Sequence, residues 1–263
     1  MGVVNVTPDS FSDGGEHLAL PAALATIRRM AADGAAIVDV GAESTRPGAD
    51  RVGADEQLRR LDPLFDALGR DPAGVPLSID TTSAAVADRA TAAGAGLVND
   101  ISAGREDPDL FGLVADRGVD LCLMHMRGQP RDMQDRPEYA DVVDEVCAFL
   151  EERMRAAVGA GVAEERIVLD PGIGFGKTLD HNLALIAGIG RMAALGRPVL
   201  VGASRKGMVG LITQRPIEGR LAGSVGAALA AVAHGAAVLR VHDVAETVDA
   251  LRVWAAVEAR SRG

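Results

Sequence analysis

Eight short apolar runs recur along the 263-residue chain, and their spacing limits the fold more than any other feature of the sequence. Each run is too short to be a buried helix and is typical of an interior parallel strand. The runs cover residues 3–6, 36–40, 77–80, 97–100, 120–124, 167–170, 198–201 and 236–239. Alanine-rich stretches with helical spacing separate them, among them residues 21–32, 55–68, 142–158, 221–234 and 244–257. Strands and helices are therefore predicted to alternate along the whole chain.

Alternation of this kind fits either a doubly wound open sheet or a closed (β/α)8 barrel. Eight units within about 250 residues, with no linker between them, match the size of the barrel. Polar residues also fall at or just after the carboxyl ends of nearly all the predicted strands, and a barrel would bring them to one mouth. They are Asn5, Asp39, Asp80, Asn99, Asp100, His125, Asp170, Arg240 and His242. We predict an α/β fold, a (β/α)8 TIM barrel, in which residues 1–263 form a single domain.

The chain starts close to its first predicted strand. Only Met1 and Gly2 precede Val3, so no residues are left to cover the bottom of the barrel. We expect a short N-terminal segment to be missing from this sequence.

Composition argues against two classes of partner. The 37 acidic and 27 basic residues give a net charge of −10 without a basic run, so we expect no nucleic-acid partner. No stretch approaches the roughly 18 apolar residues of a membrane span, and residues 1–12 lack the pattern of a signal peptide. We therefore expect no membrane association and a cytoplasmic location. Cys122 and Cys147 form no metal-binding pattern, and we expect both to be buried thiols.

Two loops at the predicted mouth have compositions that suit ligand binding. Residues 7–17 are polar and rich in turn formers, and they exceed the usual βα loop of about two to six residues. This segment, with Phe11 at its middle, predicts a lid. Residues 41–48 combine backbone amides, two hydroxyls and a guanidinium, which suits an anion.

A third loop, residues 170–178, ends in Gly-Lys-Thr and superficially resembles a phosphate-binding P-loop. The spacing excludes that motif, because Pro171 stands where it requires glycine. The three alternate glycines instead predict a backbone that approaches a flat ligand closely, with Phe175 as a stacking surface. A plain tight turn is the alternative.

Asp80 and Asp170 are candidate ligands because neither is needed as a helix cap. The hydroxyls of residues 81–83 are expected to cap the helix that follows Asp80, and Pro171 has no N–H to offer Asp170. Together with Asn99, the two carboxylates suit the donor-rich edge of a heterocycle. His125, which lies between two methionines, is expected to be a packed histidine. Residues 202–206 and 239–243 place cations beside small residues at strand ends, which suits a phosphate leaving group.

Five segments, in chain order, resemble the signature segments of the dihydropteroate synthases, and the resemblance extends over essentially the whole chain. They are residues 5–15 (NVTPDSFSDGG), 43–48 (ESTRPG), 170–178 (DPGIGFGKT), 204–206 (SRK) and 240–243 (RVHD). The resemblance implies a folate-pathway transferase that joins 6-hydroxymethyl-7,8-dihydropterin diphosphate to 4-aminobenzoate, forming 7,8-dihydropteroate and diphosphate. It also implies Mg²⁺ as a cofactor and sulfonamides as competitive ligands.

The resemblance further implies roles for individual residues. The pterin is expected to contact Asp80, Asn99, Ile101, Met124, Asp170, Phe175, Gly202, Lys206 and Arg240. The diphosphate is expected to contact Asn5, Arg46, Arg240 and His242, with Asn5 also a ligand of Mg²⁺. Aminobenzoate is expected to contact Phe11, Thr45, Pro47, Phe175, Lys206 and Gly207. Catalysis is expected to depend on Asp9, Phe11, Asp80, Lys206 and Arg240.

The chain departs from the family pattern at two places. It has Gly41-Ala42-Glu43 where Gly-Gly-Glu is usual, and Gly207-Met208 where a serine and a large aromatic residue are usual. The family's serine hydroxyl helps to hold the carboxylate of aminobenzoate. We therefore expect a weaker or altered site for aminobenzoate and sulfonamides.

Two alternatives share the predicted barrel. A methyltetrahydrofolate:corrinoid methyltransferase domain would also bind a pterin, but it would not need the diphosphate cations or the long first loop. A non-catalytic pterin-binding paralogue would have lost loop or diphosphate residues, which this chain retains. The Ala/Gly-rich helix from Gly223 to Gly235 permits close helix contact, so we expect a homodimer.

Overall fold

Eight strands form the centre of the structure, a computed structural model that describes residues 1–6, 16–43, 51–128, 132–135 and 137–261. For residues 16–19 and 261 it describes the backbone alone. The strands are β1 (Gly2–Asn5), β2 (Val38–Gly41), β3 (Leu77–Asp80), β4 (Ala95–Asp100), β5 (Asp120–Met124), β6 (Ile167–Asp170), β7 (Leu200–Val201) and β8 (Val238–Leu239). All eight predicted strands are present, and β3, β5 and β6 have the predicted bounds.

The strands close into a barrel. β1 to β6 form a parallel sheet in sequence order, and β7 pairs in parallel with β8. Two single bridges join these sheets, one between Leu169 and Val199 and the other between Gly2 and Val241. At the second junction the amide of Val3 donates to the carbonyl of Val241 at 3.2 Å. Closure confirms the predicted barrel and rules out the doubly wound open sheet.

Helices lie between the strands. They are α1 (Glu16–Ala32), α2 (Ala54–Arg70), α3 (Ala84–Ala92), α4 (Leu110–Arg117), α5 (Val142–Gly159), α6 (Leu179–Ala187), α7 (Ile189–Ala193), α8 (Gly207–Thr213), α9 (Leu221–Ala233) and α10 (Val244–Ser261). The five predicted helical stretches correspond to α1, α2, α5, α9 and α10. Among the described residues, no helix is both long enough and apolar enough to cross a membrane.

Helix α2 shows why these stretches pack against the barrel. Its buried apolar side chains are Leu61, Leu64, Phe65 and Leu68, which recur every three or four residues and so share one face. Glu56 and Arg59, on the opposite side, form an ion pair at 2.6 Å. Burial of the apolar face therefore fixes the helix on the outside of the strands.

The interior of the barrel is filled by a separate small cluster. Leu97, Cys122 and Leu200 are buried together, and Val168 and Val238 pack against them. These residues come from five strands that lie around the barrel, and they point inward because side chains alternate between the two faces of a strand. The lower part of the barrel is therefore a packed apolar core that supports the residues above it.

The two cysteines differ in exposure. Cys122 is fully buried inside the barrel, and burial raises its pKa well above the ordinary value. Cys147, on α5, is only half-buried. The prediction of a buried thiol is confirmed for Cys122 and is wrong for Cys147, because the helix turns that residue toward its partly exposed edge.

Candidate active site at the mouth of the barrel

Strand pleating brings polar residues to one end of the barrel. In β4, Leu97 lies in the inner cluster, so Asn99, two residues further on, also points inward but nearer the mouth. The register pairs Asp80 with Asn99, and Met124 with Asp170, so the two members of each pair lie side by side near the carboxyl ends of their strands. The carboxyl ends of the strands therefore form a ring of buried polar groups.

A fully buried carboxylate, Asp39, lies just below this ring, beside Ser78 in the register. Its Oδ1 accepts a hydrogen bond from the hydroxyl of Ser78 at 2.6 Å. Its Oδ2 accepts from Nδ2 of Asn99 at 3.0 Å and from Nε of Arg240 at 2.7 Å. Four strands or strand ends, from β2, β3, β4 and β8, are thus joined through one side chain.

Arg240 is shared between two carboxylates. Besides the contact with Asp39, its Nη2 donates to Oδ2 of Asp80 at 2.8 Å. Burial acts to lower the pKa of Arg240, but the two acids outweigh it and raise that pKa further. Burial also raises the pKa of Asp80 to about 7, although Arg240 opposes the change. A cation is therefore fixed at the mouth beside an acid whose charge depends on pH near neutrality.

Asp170 and Lys206 form the opposite side of the mouth. Oδ1 of Asp170 accepts from the amide of Gly172 at 2.7 Å, and burial raises the pKa of this acid. Nζ of Lys206 donates to the carbonyl of Ile173 and lies 4.4 Å from the centre of the Phe175 ring. Burial lowers the pKa of Lys206 to about 8, with Asp170 opposing that shift. The ammonium is held over an aromatic face, where it contributes to a surface for a flat ligand.

An apolar wall lies beside these charged groups. Five buried side chains pack together there, from Ile101, Met124, Met126, Met133 and Phe175. Oδ1 of Asn99 is also buried, and it has no hydrogen-bond partner among the described residues. A buried acceptor without a partner costs free energy, which a ligand N–H would recover.

The glycine-rich loop after β6 approaches β5 too closely for side chains. Gly172 has a φ of +66°, and a Cβ atom there would lie 1.9 Å from the carbonyl oxygen of His125. At Gly176, with a φ of +64°, it would lie 2.3 Å from the carbonyl oxygen of Arg127. Both positions therefore require glycine. The close approach is to the backbone that follows β5, whereas the approach predicted from the sequence was to a flat ligand.

Lys177 and His125 hold this loop from behind. Nζ of Lys177 lies 2.9 Å from the carbonyl oxygen of Phe175 and 3.0 Å from Nδ1 of His125. The His125 ring packs edge-on against Phe149 at 4.9 Å, and burial, together with Lys177, lowers its pKa to about 2. The interpretation of His125 as a packed histidine is confirmed.

The segment after β7 faces the residues after β8. Oγ of Ser204 accepts from the amide of His242 at 3.2 Å and lies 3.1 Å from its Nδ1. Arg205, one of the cations predicted for a phosphate, borders the same cavity and is paired with an acid, because its Nε donates to Oδ2 of Asp243 at 3.0 Å. Lys206 borders the cavity as well, and it is the cation that lies beside Phe175.

A cavity of about 630 Å³ opens above these residues. Its walls include Asn5, Phe175, Lys206, Gly207, Arg240 and His242, so the candidates for pterin, diphosphate and aminobenzoate binding share one space. Gly202 lies beside it, where a Cβ atom would be 3.7 Å from Cβ of Arg240 and 3.9 Å from Nζ of Lys206. The volume lies in the range of small-molecule sites.

Comparison with known proteins identifies the family. A family model described as "Pterin binding enzyme" matches residues 1–242. Dihydropteroate synthase of Haemophilus influenzae is 43% identical over 256 residues, which cover 97% of this chain and 92% of that protein. The Escherichia coli K12 enzyme of the same name is 44% identical over 254 residues, covering 96% and 89%.

Solved structures of dihydropteroate synthases have the same fold as this chain. Dihydropteroate synthase of Xanthomonas albilineans with 4-aminobenzoic acid superposes with a TM-score of 0.92 at 51% identity, covering 98% of this chain and 92% of that one. The Yersinia pestis enzyme in a sulfonamide complex gives 0.92 at 45% identity, with 98% and 94% covered. The chain belongs to the dihydropteroate synthase family. A further Xanthomonas albilineans structure of this family, in complex with 7,8-dihydropteroate, gives a TM-score of 0.89 at 48% identity over 98% and 93%.

Several predicted site residues come together at the mouth and others lie outside the described part of the chain. Those present there are Asn5, Asp80, Asn99, Ile101, Met124, Asp170, Phe175, Gly202, Lys206, Gly207, Arg240 and His242. Those outside the described residues are Asp9, Phe11, Thr45, Arg46 and Pro47.

The prediction that hydroxyls of residues 81–83 cap the helix after Asp80 is wrong. No side-chain hydroxyl caps α3, since Ser83 at its start makes no side-chain capping bond. Oδ2 of Asp107 instead accepts from the amide of Ala84 at 2.7 Å. An acid from the next βα loop caps the helix, which sequence spacing does not reveal.

Asp39 is recognisable in the sequence as a polar residue near a strand end, but its position there does not indicate a role. It lies two residues before the end of β2, one pleat deeper than the residues at the mouth. One feature of the sequence could have indicated this role: by strand alternation the Asp39 side chain points into the barrel. Ser78, which pairs with Asp39 from β3, points inward as well.

Proposed function

We propose that this protein joins 6-hydroxymethyl-7,8-dihydropterin diphosphate to 4-aminobenzoate, as the names of its relatives imply. The observation that carries the proposal is the buried ring of acceptors around the mouth, in which Oδ1 of Asn99 has no protein partner among the described residues. A pterin ring carries N–H groups along one edge, which suit such acceptors. The bound ligands named for the Xanthomonas albilineans structures, 4-aminobenzoic acid and 7,8-dihydropteroate, support the same assignment.

In this proposal the pterin lies deepest. Asp80, Asn99 and Asp170 accept hydrogen bonds from its edge, and Lys206 faces its carbonyl side. One face of the ring packs against the apolar wall, which includes Ile101, Met124 and Phe175. The other face lies toward Arg240 and the neighbouring Gly202. Hydrogen bonds to carboxylates in a dry site are strong enough to orient the ring.

The diphosphate lies toward the residues that follow β1, β2 and β8. Asn5 and His242 border the cavity there, and Arg240 contributes the fixed cation, with Arg46 proposed as a further contact. The residues present fit Mg²⁺, because this ion is usually held by one or two protein oxygens together with substrate phosphates, and Asn5 supplies such an oxygen. When bound, Mg²⁺ would neutralise charge on the departing diphosphate.

The proposed reaction depends on charge at the mouth. As the C–O bond to diphosphate breaks, the bonding electron pair leaves with the diphosphate and positive charge forms on the pterin methylene. The Asp80 carboxylate stabilises that charge, and Arg240 stabilises the leaving group. The neutral amine of aminobenzoate then forms the C–N bond and gives its surplus proton to water or diphosphate, so no strong base is required.

Aminobenzoate is placed at the outer part of the cavity. Phe175, Lys206 and Gly207 border it there, and Phe11, Thr45 and Pro47 are proposed to complete it from the two loops. Closure of these loops, including Asp9, would exclude water, which otherwise competes with the amine for the cation.

The direct test is product formation with Mg²⁺ and both substrates, followed as dihydropteroate and as diphosphate. Arg240→Lys keeps a charge between Asp39 and Asp80 but loses the planar fork, so kcat/KM should fall at least about 10-fold. Arg252→Lys, on the exposed surface of α10, is the matched control and should retain full activity. Pterin binding by the wild type without any product would contradict the proposal and indicate a non-catalytic pterin-binding protein.

The pKa values of two groups predict a bell-shaped dependence of kcat/KM on pH. Below about pH 7 the Asp80 carboxylate is protonated and no longer stabilises positive charge, so the rate falls. Above about pH 8 Lys206 loses its ammonium charge, and the rate falls again. In Lys206→Arg the cation persists, so the remaining activity should lose the alkaline limb and keep the acidic one. An alkaline limb unchanged in that variant would assign it to another group.

Restoring the family's serine should improve aminobenzoate binding. A Cβ atom added at Gly207 meets no atom within 4 Å, so Gly207→Ser fits without rearrangement. One new hydrogen bond to a carboxylate should lower KM for aminobenzoate by an amount worth at most about 1.5–3 kcal/mol. Gly207→Ala adds the same Cβ without the hydroxyl and is the matched control. An unchanged KM in Gly207→Ser would refute the expectation of a weakened site.

We also propose that the chain acts as one pterin-binding domain, in the cytoplasm and as a homodimer. Large apolar side chains are exposed on the last two helices, namely Leu221 on α9 and Val253 and Val257 on α10. Light scattering at micromolar concentration should give about twice the 27.1 kDa of one chain. Val253→Asp with Val257→Asp should halve that mass, and Val158→Asp on α5 should not. A monomeric wild type would contradict the proposal.

A further inference from the structure

We infer that Asp39 is a positioning residue: it fixes the direction in which Asn99 hydrogen-bonds and the orientation of Arg240, and so prepares the mouth for a heterocycle that presents N–H groups. The inference rests on the proposed function and deepens it. Asp39 itself is fully buried, one pleat below the mouth, so it acts through its neighbours.

The direction of Asn99 follows from what a carboxylate is able to bind. An ionised carboxylate accepts hydrogen bonds and donates none, whereas a primary amide has a donor end and an acceptor end. Oδ2 of Asp39 lies 3.0 Å from Nδ2 of Asn99. The donor end of the amide is therefore held by Asp39, and the acceptor end, Oδ1, is left buried and without a partner among the described residues.

Ser78 fixes the carboxylate in turn. Its hydroxyl donates to Oδ1 of Asp39 at 2.6 Å, on the side away from Asn99 and Arg240, which both contact Oδ2. With one oxygen held by β3, the other stays directed toward β4 and β8. The orientation of Asp39 is thus set from below the site.

Arg240 is oriented by the same atom. Its Nε donates to Oδ2 of Asp39 and its Nη2 to Oδ2 of Asp80, so two edges of the guanidinium are used. Two fixed contacts on a planar group define its plane. Nη1 is then left to face a ligand, since it makes no hydrogen bond with the residues that the structure describes.

The consequence is selectivity for hydrogen-bond polarity. A heterocycle that brings an N–H to Asn99 completes a buried hydrogen bond, whereas one that brings a lone pair leaves two acceptors facing each other without a proton. Without Asp39 the Asn99 amide would be free to turn. The site would then discriminate less between heterocycles that present an N–H and heterocycles that present a lone pair.

The test is Asp39→Asn, assayed for turnover with each substrate varied in turn. An amide at this position has a donor end as well as an acceptor end and carries no charge. It therefore no longer fixes the direction of Asn99 or holds Arg240 as firmly, and KM for the pterin diphosphate should rise at least about 10-fold. KM for aminobenzoate, which binds further out, should change less than about 2-fold. A purely structural role would lower the melting temperature and kcat and leave both KM values unchanged, and that result would overturn the inference.

Ser78→Ala is the matched control, because it removes one hydrogen bond to Asp39 and leaves both contacts of Oδ2. Its pterin KM should rise clearly less than that of Asp39→Asn. A double-mutant cycle with Asn99→Ala separates the two routes: adding Asp39→Asn to Asn99→Ala should raise the pterin KM by a clearly smaller factor than Asp39→Asn does alone, because only its effect on Arg240 remains. Fully multiplicative effects would contradict the inference.

A residue swap, Asp39→Asn with Asn99→Asp, keeps the test valid if the single variant does not fold. The swap retains one buried carboxylate and one amide, and residue 99 still presents an acceptor to the ligand. The amide N–H at position 39 then also faces Nε of Arg240, so part of the Arg240 contact is lost, but the acceptor at position 99 is kept. The pterin KM should therefore rise clearly less than in Asn99→Ala, and an equal or larger increase would contradict the inference. If the wild type itself gives no product, the proposed function fails, and the same variants then test Asp39 by equilibrium binding of dihydropterin diphosphate.

Discussion

The shared pairing of Arg240 with Asp39 and Asp80 is the interaction on which the candidate site depends. Two acids and one cation are buried at the end of a closed barrel, where none of them is tolerated alone. Removing the cation would leave two carboxylates facing each other in a dry environment. The guanidinium therefore holds the first strands of the barrel to the last one and at the same time places positive charge where a diphosphate is proposed to leave.

Barrel closure makes this pairing possible. β2 and β3 are adjacent in sequence, but Arg240 follows β8, some 200 residues later. Only the bridges that join β6 to β7 and β8 to β1 bring the end of the chain beside its beginning. The packed apolar cluster below, around Leu97 and Leu200, prevents the polar ring from collapsing inward. The acceptors that this arrangement leaves open, such as Oδ1 of Asn99, are then available to a ligand.

Much of this was predictable from the sequence, because the signals are local. Short β-rich runs and 3.6-residue periodicity located all eight strands and the principal helices, and the phase of each strand brought Asp80, Asn99 and Asp170 to one mouth. The pairing of Arg205 with Asp243 was not predictable, since it depends on how two neighbouring loops meet in space. The same applies to Asp107, which caps a helix of the preceding unit. Contacts between residues that are distant in the chain produce no periodic pattern in a single sequence, so they cannot be predicted from it.

We propose that the mouth is a preformed set of acceptors and one fixed cation, and that these groups bind the edge of a pterin. A crystal structure with dihydropterin diphosphate bound tests it most directly. Ring N–H groups are expected within about 2.7–3.2 Å of Oδ1 of Asn99 and of the Asp170 carboxylate, with Arg240 still between Asp39 and Asp80. A pterin bound elsewhere, or an Asn99 oxygen that remains without a ligand donor, would contradict it.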